Sequence, residues 1–138
     1  MKSEENYNLF DWWKKVVVDN YANFSSRARR SEYWYFFLVN LIISIILGFT
    51  DGFLGLFIGP EENGRGVLGS ISSIIFLIPS IAVAVRRMHD LGKSGWYIII
   101  PIYNLVLLCT NGEQGKNEYG PDPKGFGNEI SEIGVPQE

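Results

Sequence analysis

Two stretches without a single charged residue, 33–50 and 67–85, constrain this chain more than any other feature. A helix of about 18 residues or more reaches across the roughly 30 Å hydrocarbon layer of a bilayer. A soluble domain sets Lys, Arg, Asp and Glu along the outer face of each helix to keep it wet, and neither stretch has any. The alternative is a pair of buried core helices in a soluble protein, but a chain of 138 residues has little with which to cover them. The sequence therefore predicts an all-α integral membrane protein. An N-terminal amphipathic helix lies in the interface, transmembrane helices cover 33–50 and 67–85, and a third, short transmembrane helix covers 96–110. Residues 1–125 form one membrane domain, and the polar 126–138 read as a disordered tail.

Composition alone hides this, because 46% hydrophobic residues is ordinary for a globular protein. The first apolar run begins near Tyr33, too late for a cleavable signal peptide. A net charge of −3 gives no sign of a nucleic-acid partner. Cys109 has no second cysteine to pair with, and one His and one Cys are too few for a nitrogen and sulfur metal site. P-loop, dinucleotide-binding glycine and nucleophile-elbow patterns are all missing. The expectation is no catalytic residue, no cofactor and no metal.

Leu9, Trp12, Trp13, Val16 and Val17 share one helical face, with Asp11, Lys14, Lys15 and Asp19 opposite. This suits a helix at headgroup depth. Arg27, Arg29 and Arg30 precede the next helix start, where Ser31 is expected to cap and Glu32 to meet the positive end of the helix dipole. Tyr33, Trp34 and Tyr35 follow as an aromatic belt. Asn40, Ser44 and Gly48 recur every four residues in the first span. Gly66, Gly69, Ser70, Ser73, Ser80 and Ala84 lie roughly along one face of the second. Small, polar stripes of this kind let two helices approach closely. Pro79 removes one backbone hydrogen bond and crowds the carbonyl of Ile75, so a kink is expected there.

Residues 86–95 read as a charged connection, turned at Gly92 and Gly95. The third segment is weak. Some 14 residues at about 1.5 Å each reach about 21 Å, and Pro101 and Asn104 interrupt it. It either crosses a thinned bilayer or dips in and returns, and crossing is the expectation. Six cations precede the first span: Lys2, Lys14, Lys15, Arg27, Arg29 and Arg30. The first connection has Arg65, and the second has Arg86, Arg87 and Lys93. The N-terminus and second connection are therefore assigned to the cytoplasm, and the tail to the outside if the third segment crosses.

Three stretches also carry a resemblance. They are Phe24-Ser25-Ser26-Arg27-Ala28-Arg29-Arg30-Ser31-Glu32-Tyr33-Trp34; Ile78-Pro79-Ser80 leading to Arg86-Arg87-Met88-His89-Asp90-Leu91-Gly92-Lys93-Ser94-Gly95-Trp96; and Gly115-Lys116-Asn117-Glu118-Tyr119-Gly120-Pro121-Asp122-Pro123. In this order they resemble the signatures of the domain of unknown function 805 family, over roughly 7–125. That family usually has Gly where this chain has Ser26, and a small residue at Arg29 and Leu91. The resemblance implies a small, multi-pass protein of the bacterial inner membrane and its fold. It implies no reaction.

The candidate binding or structural residues are Arg27, Arg30, Glu32, Arg86, Arg87, His89, Asp90, Lys93 and Trp96, with Asn117 and Asp122 from the third signature. Glu32 is expected to pair with Arg86 or Arg87 and lock the helices together, and Asp122 to cap a turn. His89 and Asp90, if helical, point about 100° apart. Arg forks suit phosphate. The leading expectation is a non-enzymatic inner-membrane protein that binds anionic lipid or a protein partner through its cytoplasmic basic face. The alternative is an oligomeric transporter or channel for a small solute or ion, its path lined by Asn40, Ser44, Asp51 and Ser73.

Overall fold

Asn8 opens the first helix through a reciprocal cap. Its side chain accepts from the Asp11 amide at 2.9 Å, and the Asp11 carboxylate accepts from the Asn8 amide at 3.0 Å. In the computed structural model, which describes residues 3–60 and 63–125, this helix is α1 (Leu9–Lys14) and runs on as a π-helical turn, Lys15–Asp19. Two long helices follow, α2 (Arg30–Leu54) and α3 (Val67–Asp90). Between them lie two short antiparallel strands, β1 (Phe57–Ile58) and β2 (Arg65–Gly66), with Phe57 opposite Gly66. A 3-10 turn (Gly95–Ile99) and a last helix α4 (Tyr103–Cys109) complete the described chain. The tail expected over 126–138 lies outside the described residues.

Both long helices outgrow their uncharged windows. α2 begins with Arg29 as its N-cap and no side-chain cap bond, so Ser31 lies inside the first turn instead of capping it. α3 absorbs residues 86–90, the first half of the expected charged connection. Charge signalled a loop there, but the run joins Arg and Met, both good helix formers, to an established helix. The true stop is Gly92, at φ +67. The Lys93 amide donates to the Met88 carbonyl and the Gly92 amide to the His89 carbonyl, both at 3.0 Å. This is a Schellman closure with Gly at the left-handed position.

Mean hydropathy reaches 2.0 along α2 and 2.2 along α3, so both are long and apolar enough to cross a membrane. A soluble core helix would bury such a stretch, whereas here the burial is 6% and 22%. Apolar side chains such as Phe49, Phe53 and Ile74 face outward.

The apolar face of the N-terminal helix does not point outward as expected of a helix resting in lipid. Trp12 and Val16 are buried, and Val16 packs with Ala28, Phe36 and Val83. The Trp13 indole donates to Asn40 Oδ1 at 3.2 Å and its ring meets Phe76 edge-on. The helix is a wedge against α2 and α3, because they offer Trp12 and Val16 more contact than a flat interface would. Just beyond it, the Tyr21 hydroxyl donates to the Ile75 carbonyl at 2.6 Å. That carbonyl is four residues before Pro79, where the helix has no N–H to offer.

The expectation of a third crossing over 96–110 is corrected. The 3-10 turn and α4 are separated by a break at Pro101 and Ile102, and Ile102 sits at φ +65. The Asn104 amide reaches back across the break to the Ile98 carbonyl at 2.7 Å. The segment leaves beside Val85, which Gly95 touches, and returns to Arg87, which donates to the Thr110 carbonyl. Both ends thus meet the same end of α3, and residues 95–109 form a helical hairpin.

At the opposite end Asp51 is buried and receives the first free amides of α3, Leu68 on Oδ1 at 3.0 Å and Gly69 on Oδ2 at 2.9 Å. It caps α3 from another helix and favours its dipole. Replacing Asp51 by Ala is expected to lower stability by about 1–3 kcal/mol, and by Asn clearly less. Thermal unfolding in detergent measures both, and equal losses would show that the cap carries no weight.

Candidate functional site

The charged residues of the first two signatures converge because α2 starts where α3 ends. Antiparallel packing brings the first turn of α2 beside the last turns of α3. Arg27, Glu32, Arg86, Arg87 and Asp90 are all buried. An arginine stays charged in any protein environment, so its burial demands carboxylates or carbonyls. The sequence left Arg86 and Arg87 open as the partner of Glu32. The structure pairs Arg86 Nη1 with Glu32 Oε1 at 2.5 Å. Arg87 turns instead to Asp90 Oδ2 on its own helix and to the carbonyls of Ala28 and Thr110.

Arg27 enters from the other side. Its Nε donates to Asp90 Oδ1 at 3.0 Å, and its Nη1 to the Gly115 carbonyl at 2.6 Å and the Gly120 carbonyl at 3.3 Å. Its Nη2 donates to the Glu113 carbonyl. One carboxylate, Asp90, therefore serves two guanidinium groups. The second carboxylate, Glu32, also serves two cations, because Lys15 Nζ lies 3.1 Å from Oε2. Burial alone disfavours the Lys15 ammonium, but Glu32 and Glu4 together outweigh it and its pKa is raised.

Sequence reasoning missed Lys15 and Glu4. Lys15 looked like one of two equivalent lysines on a polar face, and Glu4 lies 28 positions from Glu32. In fact Glu4 Oε1 is 2.7 Å from Lys15 Nζ, and Glu4 Oε2 is 2.9 Å from Arg29 Nε. Gly112 was also missed. A Cβ there would collide with the Asp90 carboxylate, so only glycine fits.

The remaining candidates surround these ion pairs. His89 and Asp90 do diverge: the His89 Nδ1 lies 3.2 Å from the Ser26 carbonyl, and its ring stacks on Tyr119 at 4.0 Å. A carbonyl only accepts, so a neutral ring carries its proton on Nδ1 and presents Nε2 as an acceptor. Asn117 donates to the His89 carbonyl at 3.0 Å, which ties the tail to the end of α3. Asp122 accepts from the amides of Gly115 at 3.3 Å and Lys124 at 2.9 Å, and so shapes its own loop. Arg30 is exposed and donates to the Cys109 carbonyl at 3.1 Å. Lys93 lies over the Tyr97 ring at 5.6 Å, and Trp96 is 78% exposed.

Known proteins bear on this arrangement. The model of a family described as a protein of unknown function, DUF805, matches residues 21–121. The inner membrane protein YhaH of Escherichia coli strain K12 is 40% identical over 121 residues, covering 83% of this chain and 97% of that protein. The inner membrane protein YhaI of the same organism is 38% identical over 119 residues, covering 81% and 95%. No solved structure matches. The matched span contains Arg27, Glu32, Arg86, Arg87 and Asp90, whereas Lys15 and Glu4 lie outside it.

Removing one member of a buried ion pair strands the other, at about 3–5 kcal/mol. Asp90→Ala, which strands two arginines, is expected to destabilise by at least that much. Glu32→Leu should be rescued in part by a second change, Arg86→Met, in a double-mutant cycle of detergent unfolding. Additive losses would show that Arg86 and Glu32 do not depend on each other.

Proposed function

This chain belongs to the DUF805 family, and from that premise we propose that it is a non-enzymatic protein of the bacterial inner membrane that crosses the bilayer twice and binds lipid. The observation that carries this reading is the direction in which its side chains face. Arg27, Arg86 and Arg87 turn inward onto carboxylates and carbonyls, while the apolar side chains of α2 and α3 turn outward. Such a surface is stable against hydrocarbon and is a liability in water.

Two crossings place the N-terminal segment, the hairpin 95–109 and residues 110–123 on one side, and the strands β1 and β2 on the other. The positive-inside rule makes the first side cytoplasmic. The same side then also holds Lys116 and Lys124, leaving Arg65 among the described residues for the outer loop. Anionic headgroups fall to Lys14 and Arg30, which remain exposed, and to Lys93. Arg86 and Arg87 are buried in ion pairs with Glu32 and Asp90 and are not exposed to headgroups, although Arg86 Nε and Nη2 and Arg87 Nε have no hydrogen-bond partner among the described residues. Asp90 and His89 engage different partners, which speaks against their acting as an acid–base pair.

A transporter has one observation in its favour. Asn40, Ser44 and Ser80 line two openings between α2 and α3, of about 290 and 260 Å³. Asp51, the acid such a path would want, is taken up in capping α3.

Topology is tested with single cysteines at Asn63 and Lys116 in a Cys109→Ser chain, using an impermeant maleimide. Lys116→Cys is expected to react in inverted vesicles and Asn63→Cys in spheroplasts. Reaction of both from the same side would overturn the two-crossing reading. Lipid binding is tested by native mass spectrometry from nanodiscs containing phosphatidylglycerol. Lys14→Gln/Arg30→Gln is expected to retain severalfold less of it than the parent, and undiminished retention would remove the headgroup role from these two residues.

A further inference from the structure

The hairpin 95–109 leaves a cavity of about 380 Å³ where its first limb crosses α3. Ile81, Val85 and His89 recur every four residues along α3 and form one wall. Trp96 and Ile99 form the facing wall, and Phe24 lies at the charged end. Gly95 anchors the crossing, since a Cβ there would stand 2.8 Å from Val85 Cγ1.

Among the described residues, His89 is the only titratable side chain lining this cavity. It is 8% exposed. With Nδ1 engaged by Ser26 and the ring stacked on Tyr119, its Nε2 has no hydrogen-bond partner among the described residues. An accessible acceptor without a partner at the end of an apolar cavity is a polar handle for a donor.

We infer that this cavity binds one hydrocarbon chain of a hydroxyl-bearing amphiphile, whose hydroxyl donates to His89 Nε2. Four observations select that occupant. The walls are apolar apart from the one imidazole, which suits a chain with a single polar end. At about 30 Å³ for a water-sized group, 380 Å³ takes roughly a dozen methylene-sized groups. A helix of another protein, about 10 Å across, does not fit. The buried guanidinium groups of Arg86 and Arg87, within one turn of His89, disfavour a cationic headgroup, and Lys93 is held over Tyr97 and does not line the cavity to meet an anionic one. The exposed side chains of Trp96, Ile99 and Phe24 mark its mouth, with the aromatic rings suited to the depth where chain meets headgroup.

The inference rests on the membrane reading above, and its test separates the two. The protein in nanodiscs is photolabelled with a diazirine-bearing long-chain alcohol, and labelled peptides are mapped by mass spectrometry. Label is expected to concentrate on Ile81, Val85 and Ile99 above the general level on the outward face of α2 at Ile42, Ile46 and Phe49. Ile81→Trp, which fills the cavity and touches none of the ion pairs, is expected to reduce cavity label to that general level. His89→Ala is expected to lower it about fivefold, the worth of one hydrogen bond, while the same probe ending in a methyl group shows no difference between parent and variant. Label spread evenly over α2 and α3, and indifferent to Ile81→Trp, overturns the cavity while leaving the membrane reading intact. Absence of label on α2 as well sinks both.

Discussion

An arginine cannot shed its charge to enter a protein interior, and this chain buries three of them beside two carboxylates. The rest of the structure is arranged to make that tolerable. Asp90 lies between Arg27 and Arg87, Glu32 lies between Arg86 and Lys15, and backbone carbonyls supply further acceptors to Arg27 and Arg87, while Arg86 Nε and Nη2 and Arg87 Nε have none among the described residues. Apart from that of Asp90 itself, those carbonyls come from segments outside the two long helices. Ala28 belongs to the N-terminal loop, Thr110 to the end of the hairpin, and Glu113, Gly115 and Gly120 to the tail. Each acceptor is a tether. Ion pairs of this kind contribute little net stability over an apolar core, but a stranded partner costs several kcal/mol. They therefore penalise every arrangement in which one segment is out of place, and one arrangement of loop, hairpin and tail survives.

This changes what the charged signature means. A cluster of Arg, His and Asp beside a membrane helix invites a reading as a binding face, and its residues do sit together. Most of them face one another. What remains available lies at the edge: the accessible cations Lys14 and Arg30, and His89, whose ring leaves α3 in a different direction from Asp90. One helical step of about 100° separates a side chain that holds the fold from one that lines a cavity. Adjacent positions in one motif thus need not share a role.

The legible parts of this fold were those with a local period or a local chemical demand. The two spans came from missing charge, the freed Ile75 carbonyl from Pro79, and the pairing of Glu32 from the expectation that the two charged clusters share one membrane face. The illegible parts were decided by partners far away in sequence. Nothing near Lys15 says that it meets Glu32, and nothing near Asp51 says that it caps α3. The segment 96–110 was legible in its weakness only. Its shortness, Pro101 and Asn104 argued against a regular helix, but the return to Arg87 is set by the carbonyl of Thr110, a group that every residue has. The charged run 86–90 misled because its residues suit solvent and helix equally, and burial by Arg27 and the tail decided between them.

The two ends of the α2–α3 pair are pinned by different means, and this bears on whether the pair can open. At the charged end the ion pairs hold it, and at the other Asp51 joins the last turns of α2 to the first amides of α3. Between them the small residues, expected to let the helices approach closely, leave an open gap instead. A Cβ on Gly48 would meet nothing within 4 Å among the described residues. A gate would need a hinge, and Pro79 is the obvious place for one. Yet the carbonyl that the proline frees is already held by the Tyr21 hydroxyl, and Pro79 itself is buried. Opening there would break that bond and pull Val16 from Val83. A helix pair fixed at both ends and clamped at its kink is built to hold one shape, which suits a rigid binding surface better than a moving path.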